Sequence, residues 1–144
     1  VYDDHTYPLH ANRWVSGIVS PQGFRHIERF SLEGTIPTWQ YACADALLEK
    51  RIWMQQGENT TYIQYHLRRA TQPLKLTFKA MVNYRDYHSD TQGNGWQMTV
   101  EEISGGVRVL AYPDAAPLYL LTDRGNVSPV HNWYYGFDYS VERY

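Results

Sequence analysis

The residues best suited to chemistry lie in one short run, Asn83 to His88, which reads NYRDYH. An arginine and an aspartate can hold neighbouring hydroxyl groups through paired hydrogen bonds, and a tyrosine ring can stack on a sugar ring. The sequence therefore predicts a substrate-binding site formed by Tyr84, Arg85, Asp86, Tyr87 and His88. The alternative is that Arg85 and Asp86 pin a loop or a domain interface, while the tyrosines complete the core.

Metal-ligating and nucleophilic residues are sparse. His5 and His10 share no face of a regular element, and the sequence has neither a cysteine pair nor an HExxH motif. No GxSxG motif is present, and Cys43 lies in an apolar stretch. We therefore expect no metal and no cofactor, and we interpret Cys43 as a small core residue.

Glycosidic hydrolysis requires two carboxyl groups that face each other across one bond. The nearest pairs in the sequence, Asp3 with Asp4 and Glu101 with Glu102, are adjacent residues. Neighbours in a strand point to opposite faces, so Glu101 and Glu102 cannot flank one bond. A pair assembled from distant residues stays open, but we assign no catalytic residue and predict that the chain alone hydrolyses no glycosidic bond.

Composition narrows the class of protein further. The 144 residues carry 13 Lys+Arg against 15 Asp+Glu, which gives a net charge of −2 and makes nucleic acid and membrane surfaces poor partners. Aromatic residues make up 15% of the chain, which indicates a globular protein. One cysteine and the lack of an apolar run of membrane-spanning length favour a cytoplasmic location.

The elements that must position these residues show a period of two. Alternation predicts half-buried strands at residues 60–69, 73–84 and 131–143. In the first strand, Ile63, Tyr65 and Leu67 share a face. We expect the following residues of the other two strands to be buried: Leu74, Leu76, Phe78, Trp133, Tyr135 and Phe137.

Two hairpins complete the pattern. Gly105 and Gly106 separate two alternating runs and predict a tight turn. Residues 42–50 contain good helix formers, but residues 48–54 alternate. We therefore predict a hairpin of TWQYAC and LLEKRIWM that turns at Ala44, Asp45 and Ala46. Turn signals every dozen or so residues indicate an antiparallel all-β sandwich with little helix. We expect residues 1–144 to form a single domain.

Several strings in this order resemble a known family, above all GENTT at 57–61 and NYRDYH at 83–88. With YPLHANRW, SPQGFRHIERFSLEGTIPTWQY and HNWYYGFDYSVER, they cover nearly the whole chain. The sequence resembles the N-terminal domain of bacterial and archaeal glycogen debranching enzymes, the amylo-α-1,6-glucosidase family.

This resemblance implies a β-supersandwich that packs against a helical (α/α)6 barrel, with the catalytic carboxylates on the barrel. It also implies that the chain is a fragment that lacks this barrel and its own first strands. The expected function is a non-catalytic domain that supports the barrel and contributes to binding of an α-glucan, either glycogen or a maltooligosaccharide. The alternatives are a free-standing carbohydrate-binding module and a purely structural interaction domain. A truncated edge or an uncovered apolar face would also favour self-association.

Overall fold

The computed structural model describes residues 1–86, 89 and 95–139. Within them the chain forms nine strands and one short 3₁₀ turn at Gly23–His26, without an α-helix. The strands are β1 (Ala11–Arg13), β2 (Val19–Gln22), β3 (Ile27–Glu33), β4 (Ile36–Cys43), β5 (Ala46–Met54), β6 (Thr61–Arg69), β7 (Thr99–Ile103), β8 (Gly106–Leu110) and β9 (Leu118–Leu121). Three antiparallel sheets result, in the orders β1-β2, β3-β4-β5-β6 and β7-β8-β9. The predicted all-β antiparallel class is confirmed, and these sheets are consistent with a β-sandwich.

The chain divides into two compact units, residues 1–78 with 136–144, and residues 79–135. The first unit contains the four-stranded sheet, and the second contains the sheet β7-β8-β9. The single-domain organisation of residues 1–144 stays a prediction.

The hairpin β4–β5 confirms the strand interpretation of residues 42–54. Cys43 pairs with Ala46, so Ala44 and Asp45 alone form the turn. Ala44 adopts a φ of 53°, in the left-handed region that turns of this tightness require. Local helix propensity is overridden here, because pairing with β3 and β6 on either side satisfies the backbone groups of both strands.

The register of the four-stranded sheet separates two faces of opposite character. Residues that pair directly across antiparallel strands share a face, and the next row along lies on the other face. We call one side the apolar face; it carries Phe30, Leu32, Trp39, Tyr41, Leu48, Lys50, Ile52, Ile63, Tyr65 and Leu67. We call the other side the polar face; it carries Arg29, Glu33, Thr38, Gln40, Glu49, Arg51, Trp53, Tyr62, Gln64, His66 and Arg68.

The core of the first unit sits where the N-terminal segment meets the β4–β5 turn. Tyr2, only 1% exposed, packs there with Cys43 and Ala46. The Tyr2 hydroxyl donates to Asp45 Oδ1 at 2.7 Å, and Thr71 Oγ1 donates to Asp45 Oδ2 at 2.7 Å. These hydrogen bonds hold the pKa of Asp45 below its usual value. Cys43 is confirmed as a core residue, and burial raises the pKa of its thiol.

The second unit contains four buried apolar residues. Val107 and Val109 share one face of β8, and Ala111 and Ala115 follow the strand. The predicted hairpin β7–β8 is confirmed, and its two glycines have separate roles. Gly105, with a φ of +77°, lies in the turn, whereas Gly106 already belongs to β8.

The strand predicted at residues 73–84 is wrong. Leu74 makes an isolated bridge to Tyr2, but residues 75–84 form no strand. Leu74 and Leu76 are half-buried rather than buried, and Phe78 is 60% exposed although its ring packs against Tyr65. Alternation marks which side chains prefer one side, but a strand also needs a neighbour for its backbone hydrogen bonds.

The strand predicted at residues 131–143 is also wrong over its described part, which ends at residue 139. Phe137 makes an isolated bridge to Trp14, and their rings stack at 5.0 Å. Trp133 and Phe137 are half-buried, whereas Tyr135 is 66% exposed. The pairing is limited to this short contact, so the run does not extend as a ladder.

The strand predicted at residues 60–69 is confirmed as β6, which begins at Thr61. Ile63, Tyr65 and Leu67 share the apolar face as expected. Their burial is incomplete, because Ile63 is 56% exposed and Leu67 is 40% exposed. The apolar face is therefore covered only in part.

Candidate functional site

The described residues of the predicted site, Tyr84, Arg85 and Asp86, lie in a loop of the second unit. Asn83 Oδ1 accepts a hydrogen bond from the backbone N–H of Tyr84 at 2.9 Å. Further along, the N–H and the hydroxyl of Ser89 both donate to the carbonyl of Asp86, each at 3.1 Å. Arg85 Nη1 donates to the carbonyl of Ser89. The loop is thus held by its own polar groups, as the interpretation of Arg85 as a loop-pinning residue requires.

Tyr84 projects from this loop into an aromatic pair. Its ring meets that of Tyr112 edge to face, with centroids 5.4 Å apart and planes at 84°. A hydrogen bond with Tyr84 raises the pKa of the Tyr112 hydroxyl. Tyr84 is 42% exposed and Tyr112 is 52% exposed, so both rings keep surface that a ligand can cover.

The structure describes three of the five predicted site residues. Tyr84, Arg85 and Asp86 are exposed and adjacent in the loop. Tyr87 and His88 lie outside the described residues. Tyr112 is a partner of Tyr84 that the sequence analysis missed, because no local pattern links residues 84 and 112.

A second polar group in the same unit was also missed. Arg108 of β8 donates from Nη1 to Glu101 Oε2 of β7 at 2.6 Å. Hydrogen bonding to Glu101, and then to Tyr119 of β9, raises the pKa of Arg108. A carboxylate, a guanidinium and a half-exposed tyrosine therefore lie in one cross-strand row. The alternation in residues 99–110, which predicts the hairpin, is a signal that could have found the Glu101–Arg108 pair.

The described carboxyl groups with a clearly displaced pKa are Asp45 and Glu49, and both are shifted downward. In Asp45 the cause is hydrogen bonding from Tyr2 and Thr71, and in Glu49 it is hydrogen bonding from Arg68. A general acid at neutral pH needs the opposite shift. These two groups are set up to stay ionised.

A hollow of about 260 Å³ opens in the first unit. It is lined by Val1, Asp3, Asp4, Gln72, Pro73 and Lys75, so it contains none of the predicted site residues. No cluster of three or more histidine, cysteine, aspartate or glutamate side chains that could hold a metal ion occurs in the described ranges. The same ranges contain no helix that is long and apolar enough to span a membrane.

The fold and these polar groups define an all-β domain that presents paired tyrosines and ion pairs on open surfaces. The chain belongs to the family described as glycogen debranching enzyme N terminal, whose model matches residues 1–144. The resemblance drawn from GENTT and NYRDYH is thereby confirmed, and the chain is an N-terminal domain of the glycogen debranching enzyme type. No curated protein and no solved structure matches the chain significantly.

Proposed function

We propose that this chain is a non-catalytic domain of an α-1,6-glucosidase, and that it supports the helical catalytic barrel and contributes to binding of the glucan. The observation that carries the binding role is the pair Tyr84 and Tyr112. The two half-exposed rings offer a stacking surface, and Arg85 and Asp86, which follow Tyr84 in the chain and are exposed, offer partners for hydroxyl groups.

The apolar face of the four-stranded sheet is suited to hold the helical barrel. Phe30, Leu32 and Ile63 are 54%, 63% and 56% exposed, although they share one side of the sheet. Large exposed apolar patches on a folded domain mark interaction sites. A neighbouring domain such as the barrel would cover this face.

The state of the described carboxyl groups supports the non-catalytic role. Asp45 and Glu49 carry lowered pKa values and have their oxygens engaged by hydrogen bonds. Glu101 is held by Arg108 at 2.6 Å. Asp45 and Glu49 are therefore poor proton donors to a leaving sugar at neutral pH.

The binding role is tested by titrating the chain with maltooligosaccharides while following amide chemical shifts. We expect shifts clustered on residues 83–89 and around Tyr112, with an affinity no tighter than about 1 mM, or about −4 kcal/mol, because an open surface encloses little of the ligand. Replacing Tyr84 and Tyr112 together with Ala should remove these shifts. Tyr135→Ala, an exposed tyrosine of the same unit, serves as the matched control. If the loop and Tyr112 do not respond to the sugar, the loop has only its structural role.

The non-catalytic role is tested by glucose release from a limit dextrin that carries α-1,6 stubs. We expect no turnover by this chain. Turnover that is lost when one of its own carboxylates, such as Glu101, is replaced would overturn the proposal. Electrophoresis in glycogen-loaded gels separates the remaining alternatives, since a purely structural domain would migrate without retardation.

A further inference from the structure

The polar face of the four-stranded sheet carries two ion-pair bridges. Arg51 Nη2 of β5 donates to Glu33 Oε2 of β3 at 2.7 Å. This ion pair spans β4, which lies between the two strands. Arg68 of β6 binds Glu49 of β5 through two hydrogen bonds, at 2.7 and 3.1 Å. Gln40 of β4 adds a third hydrogen bond to Glu49 at 3.3 Å. The polar face therefore carries a preorganised network of hydrogen bonds and ion pairs.

These bridges leave the face close to electrical balance. Glu33 and Glu49 are matched by Arg51 and Arg68, and Arg29 is the remaining arginine, at the β3 edge. A phosphate would have to compete with carboxylates already seated on the two paired guanidinium groups. A neutral polyhydroxylated ligand needs both donors and acceptors, and paired charges supply both. Charge complementarity thus favours a neutral ligand over an anion.

Two stacked aromatic side chains lie next to this hydrogen-bond network. Trp53 of β5 and Tyr62 of β6 pair directly in register, and their rings stack with centroids 5.4 Å apart and planes at 15°. Tyr62 lies on an edge strand and is 43% exposed. Arg51 and Gln64 occupy the adjacent row on the same face. Aromatic rings beside hydroxyl-binding groups are the arrangement that suits a sugar ring.

We propose that the polar face is a second glucan-binding surface, on which an α-1,4-linked chain stacks on Trp53 and Tyr62 and hydrogen-bonds Arg51 and Gln64. The choice of glucan rests on the proposed function. The site itself rests on the polar face of the first unit, and it does not involve Tyr84 or Tyr112, which lie in the second unit. The two proposals can therefore fail separately.

The probe is maltoheptaose, and the readout is the indole N–H resonance of Trp53, assigned with a Trp53→Phe variant. We expect this resonance and the β6 amides to shift on titration, with little change in affinity as salt is raised, because the ligand is neutral. Inorganic phosphate is the second arm of the experiment. Shifts at these positions with phosphate but not with maltoheptaose would overturn the proposal, as would the absence of any shift on the polar face.

Two variants test the contacts. Tyr62→Ala and Gln64→Ala should each weaken the Trp53 response to maltoheptaose about three- to tenfold. Ile63→Ala is the matched control, because it lies between them on β6 but belongs to the apolar face. Equal losses in all three variants would indicate general damage to β6 and would contradict the proposal. Replacing Tyr84 and Tyr112 with Ala should leave the Trp53 response intact, whether or not the loop binds sugar.

Discussion

Glu49 shows how much a single side chain depends on its neighbours in the sheet. It is only 2% exposed, yet it stays ionised because Arg68 and Gln40 reach it from the strands on either side. Hydrogen bonding from Arg68 outweighs the cost of burial and lowers the pKa of the Glu49 carboxyl. A buried charge without these partners would be strongly unfavourable.

We predict that Glu49→Gln lowers stability at neutral pH and that its effect fades in acid. The folded pKa of Glu49 lies below its value in the unfolded chain, so its contribution is complete above the unfolded pKa and is lost as pH falls through the folded pKa. Urea unfolding of both chains from pH 7 to pH 3 measures this difference. Glu33→Gln is the control. The Glu33 side chain is 51% exposed, against 3% for Glu49, so its ion pair with Arg51 should contribute less to stability. A deficit that stays constant down to pH 3 would contradict this account.

At the scale of the element, Gly106 explains why two consecutive glycines occur in the β7–β8 hairpin. Gly105 supplies the positive φ of the turn, and Gly106 lets β9 approach β8. A Cβ added at Gly106 would come within 2.1 Å of the carbonyl oxygen of Leu120. Because that neighbour is backbone, the strand itself would have to move.

We therefore predict that Gly106→Ala destabilises the chain by about 1–3 kcal/mol, the usual range for overpacking. Thermal or urea unfolding measures the loss, and amide shifts of β9 should change most. Ser104→Ala, in the exposed turn of the same hairpin, should have little effect. A Gly106→Ala chain as stable as the parent would show that β9 does not pack against β8 as described.

At the scale of the whole chain, the apolar face leads us to predict self-association of the isolated protein. Phe30 and Leu32 are more than half exposed on β3, which is an edge strand of its sheet within the described residues. Exposed edges and apolar patches favour contact with a second copy. Light scattering should show an average molar mass that rises with protein concentration. Replacing Phe30 and Leu32 with Ser should reduce this rise. Arg29→Ser, on the polar face of β3, should not. A strict monomer at high concentration would count against the prediction.

The amino-acid sequence by itself determined the all-β class and the elements whose partners are close in the chain. The β4–β5 and β7–β8 hairpins follow from alternation and turn residues, because each strand of a hairpin finds its neighbour within a few residues. The family also follows from the strings GENTT and NYRDYH.

Only the tertiary structure decided that residues 73–84 and 131–139 form no extended strand, although they alternate as clearly as β6 does. A strand exists only where another backbone pairs with it, and alternation does not say whether a distant partner is present. The same reason applies to the sites. Arg85 and Asp86 could be chosen from one local run, but Tyr84 meets Tyr112 and Glu49 meets Arg68 only through folding. Contacts between residues far apart in the chain depend on register and sheet order, which no single segment encodes.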